Sequence, residues 1–188
     1  SLQVAEEPSR CSVSRIADVP PDAWAVLGKT KVFFGHQSVG KNILAGVKDV
    51  MAEHGFLHPV IREDVSGEAF PDGTLAHGQV GRNRDPHSKI AEFKRRMEEG
   101  LGDQVDIACF KFCYVDIVNG SDPEAILAAY FETMQSLEAR FPRICFVHMT
   151  VPLCAPPTSP QSVLKMNIKR LLGRSTVLDD NRVRARYN

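Results

Sequence analysis

Apolar residues along this chain follow two rhythms that alternate. Near-continuous apolar runs at 31–35, 105–112 and 144–151 read as strands buried on both faces, and 59–62 adds a shorter strand candidate. Between them the spacing turns helical. Val39, Ile43, Leu44, Val47, Val50 and Met51 predict a helix over 39–54, stopped by Gly55. Ile90, Phe93 and Met97 predict one opened by Asp85-Pro86, with proline at the first helical position. Ser121-Asp122-Pro123-Glu124 caps a longer one with the stripe Ile126, Leu127, Tyr130, Phe131, Met134 and Leu137. Ser159-Pro160 opens another through Val163, Leu164, Ile168 and Leu171, and 179–188 reads as the opening of one more. Residues 66–86, punctuated by four glycines and by Pro71 and Pro86, read as a long loop of the kind that carries function. Residues 1–22, polar and holding Pro8, Pro20 and Pro21, read as an extended arm ahead of one domain over 23–188.

Strands alternating with helices imply a three-layer α/β/α sandwich with a mostly parallel sheet, and a flavodoxin-like order fits the right-handed crossover rule. Ligands of such sheets bind beyond the carboxyl ends of the strands. Chemistry is therefore expected in segments 35–40, 64–86, 111–121 and 150–159.

Composition narrows the classes. The 188 residues suit one ordinary domain, and 43% hydrophobic with 24% charged residues is a globular balance. Lys plus Arg (23) equals Asp plus Glu (23), which gives no basic field for nucleic acid or an anionic membrane. No apolar run is long enough to span a bilayer. Cysteines 11, 109, 113, 145 and 154 lack CxxC spacing, so no metal site is expected. Cys109, Cys113 and Cys145 read as small buried hydrophobes, while Cys11 and Cys154 could pair in an oxidising compartment. The chain starts Ser-Leu-Gln rather than with Met, which suggests a processed or a trimmed chain; the compartment stays open, with export slightly favoured.

Two catalytic templates overlap on KVFFGHQSVGKNIL, residues 31–44. Gly35 to Asn42 falls one residue short of a phosphate-binding G-x-x-x-x-G-K-[ST] loop: Asn42 stands where a magnesium-binding hydroxyl belongs, and His36, Gln37, Ser38 and Val39 are bulky for a backbone cradle. Nucleotide binding through Gly35–Lys41 is the lesser reading. The same stretch places Ser38 at a strand-to-helix turn, where first-turn N–H groups and the helix dipole favour an oxyanion. The plain alternative is that Ser38 only caps the helix.

Beyond this stretch the chain resembles the SGNH/GDSL hydrolases, in a divergent form carrying FGHQSVG and KFCYVDI. FFGHQSVG is similar to the family's strand ending in Gly-Asp-Ser, with His36-Gln37 for the single Asp. HGQVGRNRDP resembles the setting of the glycine whose N–H serves the oxyanion hole, which points to Gly81 with Asn83 beside it. ACFKFCYVDI aligns with the Gly-x-Asn-Asp strand, but Cys113 and Val115 replace the glycine and the asparagine, and only Asp116 matches. The family's D-x-x-H block has no counterpart here, and the resemblance puts it after Asn188. It implies a serine esterase acting without a cofactor on a small-molecule or carbohydrate ester, with Ser38 as nucleophile. A non-catalytic ligand- or glycan-binding module on the same fold is the alternative.

Other polar residues carry their own expectations. Lys111, inside an apolar strand, should reach a carboxylate or a ligand, with a Lys111–Asp116 pair at the sheet's carboxyl edge as the candidate; a snorkelling lysine at the strand's end is the equal alternative. His36 is read as a turn residue bonding backbone, with a role as base to Ser38 the alternative. Gln37 and His36 join the candidate substrate contacts. His77 is read as either a substrate contact or a surface residue, and His148 as a satisfied core histidine. Arg82 and Arg84 flank Asn83 and are read either as contacts for an anionic group or, the preferred reading, as ordinary solvated loop charges.

Overall fold

The computed structural model describes residues 15–63 and 69–188. Five parallel strands, β1 (Val32–His36), β2 (Val60–Glu63), β3 (Thr74–Gln79), β4 (Ile107–Phe110) and β5 (Cys145–Phe146), form one sheet in the order β2-β3-β1-β4-β5. Helices flank it: α1 (Pro21–Leu27), α2 (Ser38–His54), α3 (Pro86–Glu98), α4 (Pro123–Arg140), α5 (Pro160–Leu171) and α6 (Val177–Tyr187). The expected three-layer α/β/α sandwich is present. Without β2, the order β3-β1-β4-β5 is the flavodoxin-type winding; β2 extends the edge beside β3. The winding reverses at β1, whose carboxyl end is therefore the switch point where such sheets bind ligands.

The helices begin where their caps dictate. Asp85 accepts the Ser88 N–H at 3.0 Å, Asp122 the Ala125 N–H at 3.0 Å and Ser159 the Ser162 N–H at 3.3 Å, each followed by proline at the first helical position. The apolar stripes of α3 and α4 pack on one sheet face. Phe33, Phe93 and Phe110 meet there with Met97, Met134 and Leu137, and the Phe93 and Phe110 rings lie 4.7 Å apart. Burial of each such side chain contributes roughly 1.5–3 kcal/mol. Tyr187 of α6 extends this cluster, its ring edge-on to Phe112 at 5.6 Å.

Several expectations are corrected. The long loop of 66–86 contains β3, a strand next to the centre of the sheet. Its sequence, Thr-Leu-Ala-His-Gly-Gln, has one large aliphatic residue, so neither apolar run nor alternation signals it. The arm is not extended where it is described: Ile16–Asp18 is a 3₁₀ turn and α1 starts at Pro21. The last strand is shorter than 144–151. β5 is an edge strand, Cys145 is exposed rather than buried, and Val147 is 42% exposed. His148 lies outside the core, with Tyr130 Oη 2.8 Å from Nδ1 and Glu138 Oε1 3.7 Å from Nε2. A Cys11–Cys154 pairing involves a residue outside the described ones; Cys154 is free here.

Candidate functional site

One residue, Gln37, separates β1 from α2. Gln37 is the N-cap and Ser38 the first helical residue, so Ser38 does not cap the helix as its position in sequence suggested. Ser38 is exposed, and among the described residues its hydroxyl makes no hydrogen bond. The first turn of α2 also leaves N–H groups without intrahelical acceptors at the switch point. The Gln37 side chain folds inward, where Nε2 donates to the carbonyls of Val80 at 3.1 Å and Gly81 at 2.6 Å. It thereby clamps the β1–α2 turn to the loop after β3, and Ser38 and Gly81 are held at one edge of the sheet.

Gly81 needs to be glycine twice over. Its φ is +56°, and a Cβ would lie 2.5 Å from the Lys89 backbone nitrogen. Gly40 has a different role from that of a phosphate loop. A Cβ there would fall 2.2 Å from the His36 ring, so Gly40 lets α2 rest on that imidazole.

His36 is buried at the end of β1, and its Nδ1 lies 2.7 Å from the Gln37 carbonyl oxygen, the backbone bond expected for it. Its Nε2 lies 3.1 Å from Nδ1 of His77 on β3. In the neutral pair the tautomers follow from the carbonyl: His36 Nδ1–H donates to Gln37, His77 Nδ1–H donates to His36 Nε2, and His77 Nε2 keeps a free lone pair. Burial holds both imidazoles below their ordinary pKa. The Gln37 carbonyl partly opposes this at His36, and His36 adds to it at His77. His77 lies half-buried on β3, paired with His36.

The centre of the neighbouring loop is Lys89, which sequence reading passed over. On α3, completely buried, its Nζ lies 2.5 Å from Asp116 Oδ2 and 3.1 Å from Asn83 Oδ1. Asp116 also accepts the N–H groups of Cys113 at 2.6 Å and Arg84 at 2.8 Å. Lys89 thus joins the β3–α3 loop to the β4–α4 loop. By occupying Asn83 Oδ1 it leaves the Asn83 NH₂ as the group free to donate. The signal was present: residues 89, 93 and 97 share one helical stripe, and the last two are Phe93 and Met97 of the core.

The expected Lys111–Asp116 pair is absent because Asp116 is taken by Lys89. Side chains alternate along a strand, and Phe110 faces the α3–α4 core, so Lys111 lies on the other face with His36. Its backbone N–H donates to the Gly35 carbonyl at 3.1 Å, while its Nζ is buried without a hydrogen bond. Burial depresses its pKa. Cys113 and Asp116 act against this, and Lys89 adds to it. The structure thus brings Ser38, Gly81, His36, Gln37 and Lys111 to the carboxyl ends of β1, β3 and β4. Asn83 and Asp116 join them through Lys89.

A cavity of about 970 Å³ opens on the far side of Asp116, between the β4–α4 loop, α5 and α6. Ser38 does not line it. Arg184 of α6 forms its floor, almost fully buried, with Nε donating to the carbonyls of Tyr114 at 2.8 Å and Ile117 at 3.0 Å. Among the described residues, no group of three or more His, Cys, Asp or Glu side chains is arranged to hold a metal ion, and no helix is long and apolar enough to cross a membrane.

Compared with known proteins, the chain matches no family model, no curated protein and no solved structure. The likeness to the SGNH/GDSL hydrolases therefore stands on the residues quoted for it.

Proposed function

We propose that this chain carries the nucleophile and oxyanion-binding part of a serine ester hydrolase of SGNH type, acting on a small-molecule or carbohydrate ester. The observation that carries the reading is Ser38 itself: an uncommitted, exposed hydroxyl on the first residue of α2, at the switch point of a parallel sheet. Ser38 Oγ attacks the ester carbonyl and passes its proton to a base. The resemblance assigns that base to the histidine of a D-x-x-H block, which has no counterpart among residues 1–188. The negative charge on the carbonyl oxygen is met by N–H donors of Ser38 and Gly81 and by the Asn83 amide, held by Lys89. The alcohol leaves with the proton, and water then cleaves the acyl-serine and frees the acid.

Hydrolysis of p-nitrophenyl acetate by the full-length polypeptide tests this. Ser38→Ala should lower kcat by about a thousandfold or more while far-UV circular dichroism stays unchanged. Equal rates in both would remove Ser38 as nucleophile.

A second reading, a scaffold that holds a ligand or glycan without chemistry, draws on Cys113 and Val115 in place of the family's glycine and asparagine, and on the cavity beside Asp116. Nucleotide binding has the least support. A single residue between β1 and α2 forms no loop to wrap a phosphate, Gly40 makes room for His36, and Lys41 and Asn42 lie exposed on α2.

A further inference from the structure

We infer that the cavity between α5, α6 and the β4–α4 loop binds an organic anion with an apolar body. This inference goes beyond the Ser38 chemistry and stands whether or not Ser38 reacts.

Size and lining set the class. About 970 Å³ accommodates a drug-sized molecule, and Tyr114, Ile126 and Met166 give it apolar wall. The charges set the sign. Three acidic residues reach the cavity, and each is already engaged. Asp116 is held by Lys89, Cys113 and Arg84. Asp122 caps α4. Asp180 accepts the Asn119 N–H at 2.8 Å and lies 3.7 Å from Arg184. The cations differ. Arg184 is used up by carbonyls and by Asn181, but Arg84, Lys165 and Lys169 line the cavity with no carboxylate partner among the described residues. Lys165 and Lys169 are one turn apart on α5, so both ammonium groups face the same space. The uncommitted charge of the cavity is therefore all positive.

Residues at the N-terminal ends of α3 (Pro86), α4 (Asp122) and α6 (Val177) line the cavity, with their first turns already capped by Asp85, Asp122 and the Thr176–Asp179 box. Arg84, at φ +66°, is the one non-glycine residue with positive φ among the described residues. Its N–H bond to Asp116 helps hold this unfavourable conformation, and its side chain is placed at the cavity. An apolar wall and three cations without a carboxylate partner among the described residues suit an anionic group on an apolar frame better than a neutral sugar.

Two dyes that share an anilinonaphthalene body test the assignment. 8-Anilinonaphthalene-1-sulfonate carries an anion, and N-phenyl-1-naphthylamine does not. Fluorescence titration of the purified protein at low ionic strength should show the sulfonate dye binding more tightly, with affinity falling as salt is added. The Lys165→Gln/Lys169→Gln variant should weaken the sulfonate dye about tenfold and leave the neutral dye within about twofold, because each ammonium lost removes an attraction felt only by the charged dye. Arg84→Gly, compatible with the backbone there, should act in the same direction, and Ser38→Ala should change neither dye. The inference fails if the sulfonate dye does not bind or if the lysine variant weakens both dyes alike. It also fails if Leu164→Gln/Ile168→Gln, on the exposed side of α5, removes binding while the lysine variant keeps it.

Discussion

Lys89 Nζ and Asp116 Oδ2 lie 2.5 Å apart with both side chains wholly excluded from solvent, and this contact ties the β3–α3 loop to the β4–α4 loop. A pair so buried adds little net stability compared with apolar residues, yet it is costly to break from one side. Asp116→Asn should therefore destabilise the protein by about 3–5 kcal/mol, read as a lower urea midpoint at unchanged slope. Lys89→Met combined with Asp116→Asn should recover much of the loss. If the single variant costs less than about 0.5 kcal/mol, the charges are not buried together as described.

Lys111 poses the opposite case. Its Nζ is buried with no acceptor, so its charge is a burden on the fold unless a ligand meets it. Lys111→Met should stabilise the free protein by about 1–3 kcal/mol. The pH dependence has a definite sign. The folded pKa lies below the ordinary 10.5, so between the two values the unfolded chain binds more protons and wild-type stability rises with pH. The advantage of Lys111→Met should therefore shrink as pH climbs toward 10.5, which thermal melts across alkaline pH would show.

The imidazole pair behaves similarly at lower pH. His36 and His77 both titrate below the ordinary 6.5 when folded, chiefly because of burial. Above pH 6.5 folded and unfolded forms are both neutral and the contribution to stability is complete. As pH falls below that value the unfolded chain takes up protons first, and stability is lost. His77→Asn, which keeps a donor for His36 Nε2, should flatten the loss of melting temperature between pH 7 and pH 5. An unchanged slope would remove the pair as its source.

Gly40 offers a test of packing against the phosphate-loop alternative. The added methyl of Gly40→Ala overlaps the His36 ring, so the variant should cost about 1–3 kcal/mol. Adding His36→Ala should make the double variant more stable than the two single losses sum to, since the clash disappears with the ring. Strict additivity of the two urea midpoint shifts would mean that Gly40 serves something other than His36.

The legible parts of the fold were those where local rules and tertiary packing agree. The capped starts of α3, α4 and α5 follow from Asp-Pro, Asp-Pro and Ser-Pro, and β1 and β4 from continuous apolar runs. β3 was hidden because its buried positions are Thr74, Ala76 and Gly78, small residues beside the sheet's centre rather than a hydrophobic signature. Cys145 and His148 were misplaced because a run of apolar residues does not reveal that its strand lies at an uncovered edge. At the site, Ser38 was reached from the strand-turn-helix pattern, whereas Gly81 was reached only through the resemblance, since the strand before it was not legible. The partner of Asp116 was missed although Lys89 shares the helical stripe of Phe93 and Met97, because charge alone does not choose between Lys89 and Lys111. Strand alternation sends Lys111 to the His36 face, while Lys89 comes in on the α3 stripe.

Labelling with a fluorophosphonate probe, followed by peptide mass mapping, tests most directly whether Ser38 is a nucleophile. On the full-length polypeptide the adduct should fall on the peptide containing Ser38 and vanish in Ser38→Ala, while Ser88→Ala, the hydroxyl that bonds Arg82 and Asp85, keeps it. No adduct on a folded, full-length polypeptide, or an adduct that persists in Ser38→Ala, would contradict the assignment.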